Sequence, residues 1–454
     1  MGKKQLDLTE GPILKTLTEL ALPIMASSFL STVYSITDMA WIGLLGSRAV
    51  AGVGVGGMYV WLSQGLVSLA RMGGQVNTAQ ALGRRDREAA KQYSCAAIQL
   101  TLLFAAFFTA ITLLFTDPLL DFFRIGDPLS FKYAKIYMQI TCGLVLFSYM
   151  TFTLTGLYTA QGDSKTPLTA NLAGLIMNMI LDPLLILGAG PFPRLEVTGA
   201  AIATVAAQLL VMTVLLAGIF RKGANSNVLR EIRLFSKMGN SYYRSVFKIG
   251  VPTALQGTVY CMISMALTRM VSAFGPGAIA TQRVGGQIES ISWNTADGFG
   301  AALNAFMAQN YGARQPERIR KGYKISFRVL AVWGLFIALL FIFLPRPIVR
   351  LFFHEEDVIA VAIGYLIVIG FSEPFMCIEL MTVGALSGLG RTKLCSVISI
   401  ALTGARIPLA LILTKTPLGL HGVWWALTLS SIAKGIVFYF TFQQVNRSLK
   451  LKKI

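Results

Sequence analysis

Two aspartates stand where water is scarce: Asp38 within STVYSITDMAWIG and Asp182 within GLIMNMILDPLL. Asn178 precedes Asp182 by four residues, so on a helix the amide and the carboxylate share a face. A charged group in the hydrocarbon region costs at least about 2.5–3.5 kcal/mol on insertion scales, so acids inside spans are functional candidates by default. Desolvation opposes ionisation and a nearby amide can hydrogen-bond either protonation form, so an acid placed this way can load and release a proton near neutral pH. The plainer alternative is that both aspartates glue helices together, at about 0.6 kcal/mol per hydrogen bond.

Such chemistry requires that these segments cross a membrane, and the composition requires it too. Of 454 residues, 54% are hydrophobic and only 13% charged, with a mean hydropathy of +0.63. About 20 apolar residues cross a bilayer as a helix. Twelve stretches qualify: 14–44, 50–72, 92–116, 133–160, 167–190, 197–220, 245–272, 278–308, 324–347, 358–388, 394–413 and 421–445. An even number puts both termini on one side. Lys and Arg crowd alternate loops, as in GRRDREAAK and ARQPERIRK, which makes that side the cytoplasm of a cell (plasma or inner) membrane. The same asymmetry accounts for a net charge of +19 without invoking nucleic acid. The first apolar stretch is too long for a signal h-region and is expected to be retained. The five cysteines form no CxxC pair and lie in apolar segments, so neither a disulfide framework nor a zinc site is indicated.

An internal repeat sets the organisation. At a shift of 229 residues, Pro23 meets Pro252, Gly46 meets Gly275, and Gln80, Gly83, Arg85 and Glu88 meet Gln309, Gly312, Arg314 and Glu317. At 228, Gly156 meets Gly384 and Lys165 meets Lys393. Each copy carries six spans, so both enter the membrane in the same orientation and an axis along the membrane normal should relate them. The expected fold class is an all-α integral membrane protein of two six-helix bundles. The expected division is an N-lobe over 1–221, a polar cytoplasmic linker over 222–243 and a C-lobe over 244–454.

The repeat is informative where it fails. Asp38 aligns with Leu267, Asp182 with Ala410 and Asn178 with Arg406, so this acidic chemistry is confined to the first half. The second half has Glu289, Asp297, Glu373, Glu379 and Arg406 within its spans, where mutual ion pairing is the default expectation. Glu379 is the best placed of them for a second cation site, with pairing to Arg406 equally open. Pro23, fifteen residues before Asp38, interrupts the helical ladder and is a candidate hinge; static prolines are also common in membrane helices.

Several motifs fail on context. Gly52-Val-Gly54-Val-Gly56-Gly57 fits GxGxxG but opens a transmembrane helix with no preceding strand. No Walker A sequence, HExxH or nucleophile elbow is present, so the chain reads as a secondary active transporter and not as an enzyme or an ATP-driven pump.

The segments ALPIMASSFLSTVYSITDMAWIG, GDSKTPLTANLAGLIMNMILDPLLI, AQNYGARQPERIRKG and GALSGLGRTK, with the six-plus-six repeat, resemble the multidrug and toxic compound extrusion (MATE) family over essentially the full length. Asp38, Asn178 and Asp182 are similar to its DinF-type pattern, in which such residues form a proton-binding pocket, and Tyr137 matches a pocket tyrosine of that branch. The NorM-type pattern adds acids on helices 7 and 10, where this chain has Tyr260 and Met376. The resemblance implies alternating access and export of cationic, amphipathic compounds. It also implies exchange for H+, with Na+ as the alternative ion, and no further cofactor. The chain is expected to act as a monomer in the lipid bilayer. A lipid-linked saccharide flippase of the same superfamily is the other reading, kept open by Arg269, Arg283 and Arg406.

Overall fold

The long apolar runs become helices because a lipid-facing backbone must satisfy its own hydrogen bonds. The computed structural model describes residues 7–123, 127–188, 193–221, 227–232, 239–351 and 356–451, and among these no strand occurs. The first half contains α1 (Ile13–Gly43), α2 (Ser47–Gly83), α3 (Arg87–Leu114), a short α4 (Thr116–Asp121), α5 (Pro128–Gly143), α6 (Val145–Ala160), α7 (Lys165–Ile186) and α8 (Glu196–Arg221). The second half contains α9 (Asn240–Ser272), α10 (Pro276–Gly312), α11 (Pro316–Phe343), α12 (Pro345–Arg350), α13 (Glu356–Gly370), α14 (Glu373–Gly388), α15 (Thr392–Gly404), α16 (Arg406–Leu413) and α17 (Leu420–Leu451).

The sequence repeat is reproduced in the backbone. Adding 229 to the bounds of α2, α3 and α4 gives those of α10, α11 and α12, and adding 228 to α6 gives α14. The corners match as well: Gly46 and Gly275 have φ of 98° and 99°, and Arg85 and Arg314 have φ of 61° and 55°. Asp127 caps α5, accepting from the Ser130 amide at 2.9 Å. Its counterpart Glu356 opens α13 and accepts from Arg350 at 3.0 Å. Hydrogen bonds from the Ser130 hydroxyl and amide to Asp127, and from Arg350 to Glu356, hold both carboxyls below their ordinary pKa.

Among the described residues, nine helices are long and apolar enough to span a membrane, and two bent pairs, α5 with α6 (48°) and α13 with α14 (51°), bring the number to eleven. The twelfth expected span is α10, which is 37 residues long but carries Arg283, Glu289 and Asp297. The order is therefore six plus six, as the repeat requires.

The chain forms two compact units that differ from the sequence halves. The first takes Met1–Asp7 and Ala26–Ala254, and the second takes Leu8–Met25 and Leu255–Ile454. The exchange points fall two residues beyond Pro23 in α1 and two beyond Pro252 in α9. A proline removes one backbone hydrogen bond and crowds the preceding turn, so each helix is weakened within about a turn of the point where it changes unit. Both helices nonetheless run unbroken.

Of the expected linker, 222–226 and 233–238 lie outside the described residues. Asn240–Tyr243 already belong to α9. A short turn at Val228–Glu231 docks on the first unit: Val228 N donates to Gln161 Oε1 at 3.1 Å, and Arg87 pairs with Glu231 at 2.7 Å.

Small residues let helices approach closely, as is usual in membranes. A Cβ at Gly384 would lie 2.3 Å from the Gly300 carbonyl oxygen, which pins α14 against α10. At the equivalent Gly156 the nearest atom is Arg71 Cγ at 2.9 Å, a flexible side chain. Gly384→Ala is therefore expected to cost about 1–3 kcal/mol, as overpacking does, and Gly156→Ala less. Thermal melting of the detergent-solubilised variants checks the order.

Candidate functional site

Asp38, Tyr137, Asn178 and Asp182 all lie in the first unit, because the part of α1 that carries Asp38 follows Met25, whereas Pro23 falls in the second. α7 brings Asn178 and Asp182 onto one face, and both are fully buried. Asn178 Nδ2 donates to Asp182 Oδ1 at 3.0 Å. α5 contributes Tyr137, 7% exposed. Asp38 is half-buried on α1, close enough to Asp182 for the two carboxylates to interact electrostatically.

The site is rich in unfilled acceptors. Asp38 Oδ1, Asp182 Oδ2 and Asn178 Oδ1 are buried and lack hydrogen-bond partners. Among the described residues, no lysine or arginine acts on either aspartate. Each unsatisfied buried acceptor costs about 1–3 kcal/mol, a cost that a proton, a cation or an N–H donor would relieve. Burial beside a like charge makes two ionised carboxylates mutually unfavourable, which suits a site that holds one positive charge at a time.

Two residues that the sequence reading passed over complete the site. Tyr34 interacts electrostatically with Asp38, and Thr204 of α8 lies beside both Tyr34 and Tyr137. Tyr34 could have been found from its spacing, four residues before Asp38 on the same helix. Thr204, in AIATVAAQ, carries no signal that separates it from ordinary helix packing.

The second unit corrects the expected pairings. Glu379 does not pair with Arg406: it accepts from Lys434 of α17 at 2.8 Å, with both side chains no more than 10% exposed. The reason is reach, since α14 packs along α17 and the flexible lysine stem delivers its ammonium. Arg406 instead donates to Ser430 Oγ at 3.1 Å and Ser431 Oγ at 3.0 Å. Glu289 accepts from the Tyr365 hydroxyl at 3.3 Å. Glu373 is 1% exposed, and Asp297 is exposed on α10 between the buried Ala296 and Gly298. Arg269 is exposed, and the side chain of Arg283 lies outside the described residues.

Comparison with known proteins follows the same duplication. The MatE family model matches residues 23–184 and again 252–412, each match beginning at the proline where the chain changes unit. The chain is 28% identical over 433 residues to "Probable multidrug resistance protein NorM" of Thermotoga maritima, covering 93% of this chain and 90% of that protein. It is 25% identical to the "FAD transporter" of Shewanella oneidensis, covering 98% and 97%. Among solved structures, the outward-facing conformation of a multidrug resistance MATE family transporter of the MOP superfamily superposes with a TM-score of 0.90. That match is at 21% identity and covers all of both chains.

Proposed function

Because the chain belongs to the multidrug and toxic compound extrusion family of efflux transporters, we propose that it is a secondary active antiporter exporting cationic amphipathic compounds in exchange for protons. The supporting observation is the pair of carboxylates, half-buried Asp38 and buried Asp182, with buried acceptors left open and, among the described residues, no basic residue acting on either. Deprotonated Asp38, assisted by Asp182 and Asn178 and lined by Tyr137, takes the cationic compound; protonation displaces it. A ligand moves a conformational equilibrium only through its differential affinity for the two states. Bending of α1 beyond Pro23 supplies that difference.

The remaining parts of this reading rest on the sequence. Both termini lie in the cytoplasm, the chain works as a monomer in the cell membrane, and the coupling ion is the only cofactor. Sodium coupling is the less suitable alternative, because Lys434 already neutralises Glu379, while Glu289 and Asp297 remain secondary candidates. A flippase for lipid-linked saccharides, or an anionic cargo such as a flavin nucleotide, calls for open cationic groups. Arg406 is instead engaged by two serine hydroxyls.

The test is transport of a fluorescent cation in proteoliposomes of fixed orientation under an imposed pH or sodium gradient. The pH gradient alone is expected to drive uptake. Transport that follows only the sodium gradient, or that accepts only anions, overturns the proposal.

A further inference from the structure

We infer that Arg318 is a positioning residue for transport: it fastens the lead-in of α1 to the second unit, so that α1 bends only beyond Pro23. This inference rests on the hinge reading above and names the contact that gives the hinge a fixed end.

The lead-in, Leu8–Gly11, is held by its backbone. Arg318 Nε donates to the Leu8 carbonyl at 3.3 Å, Nη2 to that of Glu10 at 2.6 Å, and Nη1 to that of Gly11 at 2.8 Å. Asn310, fully buried in α10, adds Nδ2 to the Leu8 carbonyl at 3.0 Å. The Leu8 side chain is itself fully buried. Arg318 also stands over the Phe306 ring, 5.4 Å from its centroid. The guanidinium is the one side chain that can present three N–H groups in a fixed plane to successive carbonyls. All these residues belong to the second unit.

The two halves of α1 then behave differently. Thr16, Leu17, Leu20 and Ala21 form a buried stripe at helical spacing. Beyond the proline, Val33, Ile36 and Met39 are 45%, 58% and 51% exposed. One end is packed and strapped, and the end carrying Asp38 is loosely held. Energy released when Asp38 binds or loses its ligand therefore goes into bending at Pro23, not into withdrawing the whole helix. The donors are not repeated in the sequence: the positions matching Arg318 and Asn310 in the first repeat are Ala89 and Ala81, which have no side-chain donor.

Leu8→Cys, placed in wild-type and Arg318→Ala backgrounds, reports the strap through its rate of labelling by a membrane-impermeant maleimide, with the protein reconstituted in proteoliposomes. Losing three charge-assisted bonds is expected to speed labelling about tenfold or more. In the transport assay, Arg318→Ala is expected to lower the maximal rate severalfold while leaving KM for the fluorescent cation unchanged, since its hydrogen bonds to the lead-in are made within the second unit and the carboxylates belong to the first. Arg318→Lys, which keeps the charge but loses the fork, is expected to fall between the two and serves if the alanine variant does not accumulate. Unchanged labelling overturns the strap. Faster labelling with unchanged maximal rate overturns its role in transport, as does a rise in KM alone. If no pH gradient drives transport in the wild type, the proposed antiport fails while the labelling arm still decides the strap.

Discussion

Replacing Asp38 with asparagine is expected to reduce pH-driven efflux about 5–150-fold, the range that a coupling free energy of 1–3 kcal/mol spans. The substitution keeps the size of the side chain and its capacity to accept a hydrogen bond, so the fold and the α1 packing should survive. It removes the negative charge that attracts a cationic substrate and the proton exchange that releases it. Because Asp38 aligns with Leu267 in the second repeat, no symmetric acid can take over its work. Asp182→Asn is expected to be milder, since Asn178 already shares that carboxylate. Measured with the fluorescent cation under a fixed pH gradient, wild-type rates in the Asp38→Asn protein would remove this residue from the mechanism.

The second large effect concerns stability. Lys434→Met leaves Glu379 buried without its cation, and breaking a buried pair by removing one partner costs about 3–5 kcal/mol. A lowered melting temperature and poor recovery from the membrane are expected. The double variant Glu379→Gln with Lys434→Met should regain most of the loss, because a neutral amide does not need the ammonium. It should also transport nearly as well as the wild type. A double variant that folds but has lost its coupling would show that this pair does more than hold α14 against α17.

Much of this architecture could be read in the chain. The 229-residue shift located α2, α3 and α4 against α10, α11 and α12 because helix ends are set by local residues, and local residues were duplicated. Asp38, Asn178 and Asp182 were visible because acids are rare in apolar runs. Lys434, in SSIAKGIVF, carried the same kind of signal and was passed over in favour of the acids. Its partner could not be read, since which helices pack together is a long-range property. Tyr34 and Thr204 are ordinary helix residues until the fold sets them beside the carboxylates. The exchange of units within α1 and α9 was equally hidden. Proline marks a weak point in a helix, but sequence does not say what packs on either side of it.

That exchange has a consequence for cutting the chain in two. A break at 222–226 separates the sequence repeats, yet each fragment then carries a piece of the other's compact unit: Leu8–Met25 stays with the first fragment, and Asn240–Ala254 stays with the second. Neither fragment can complete its own unit alone. Co-expressed, the two should reassemble as a split transporter, while either one by itself should be degraded.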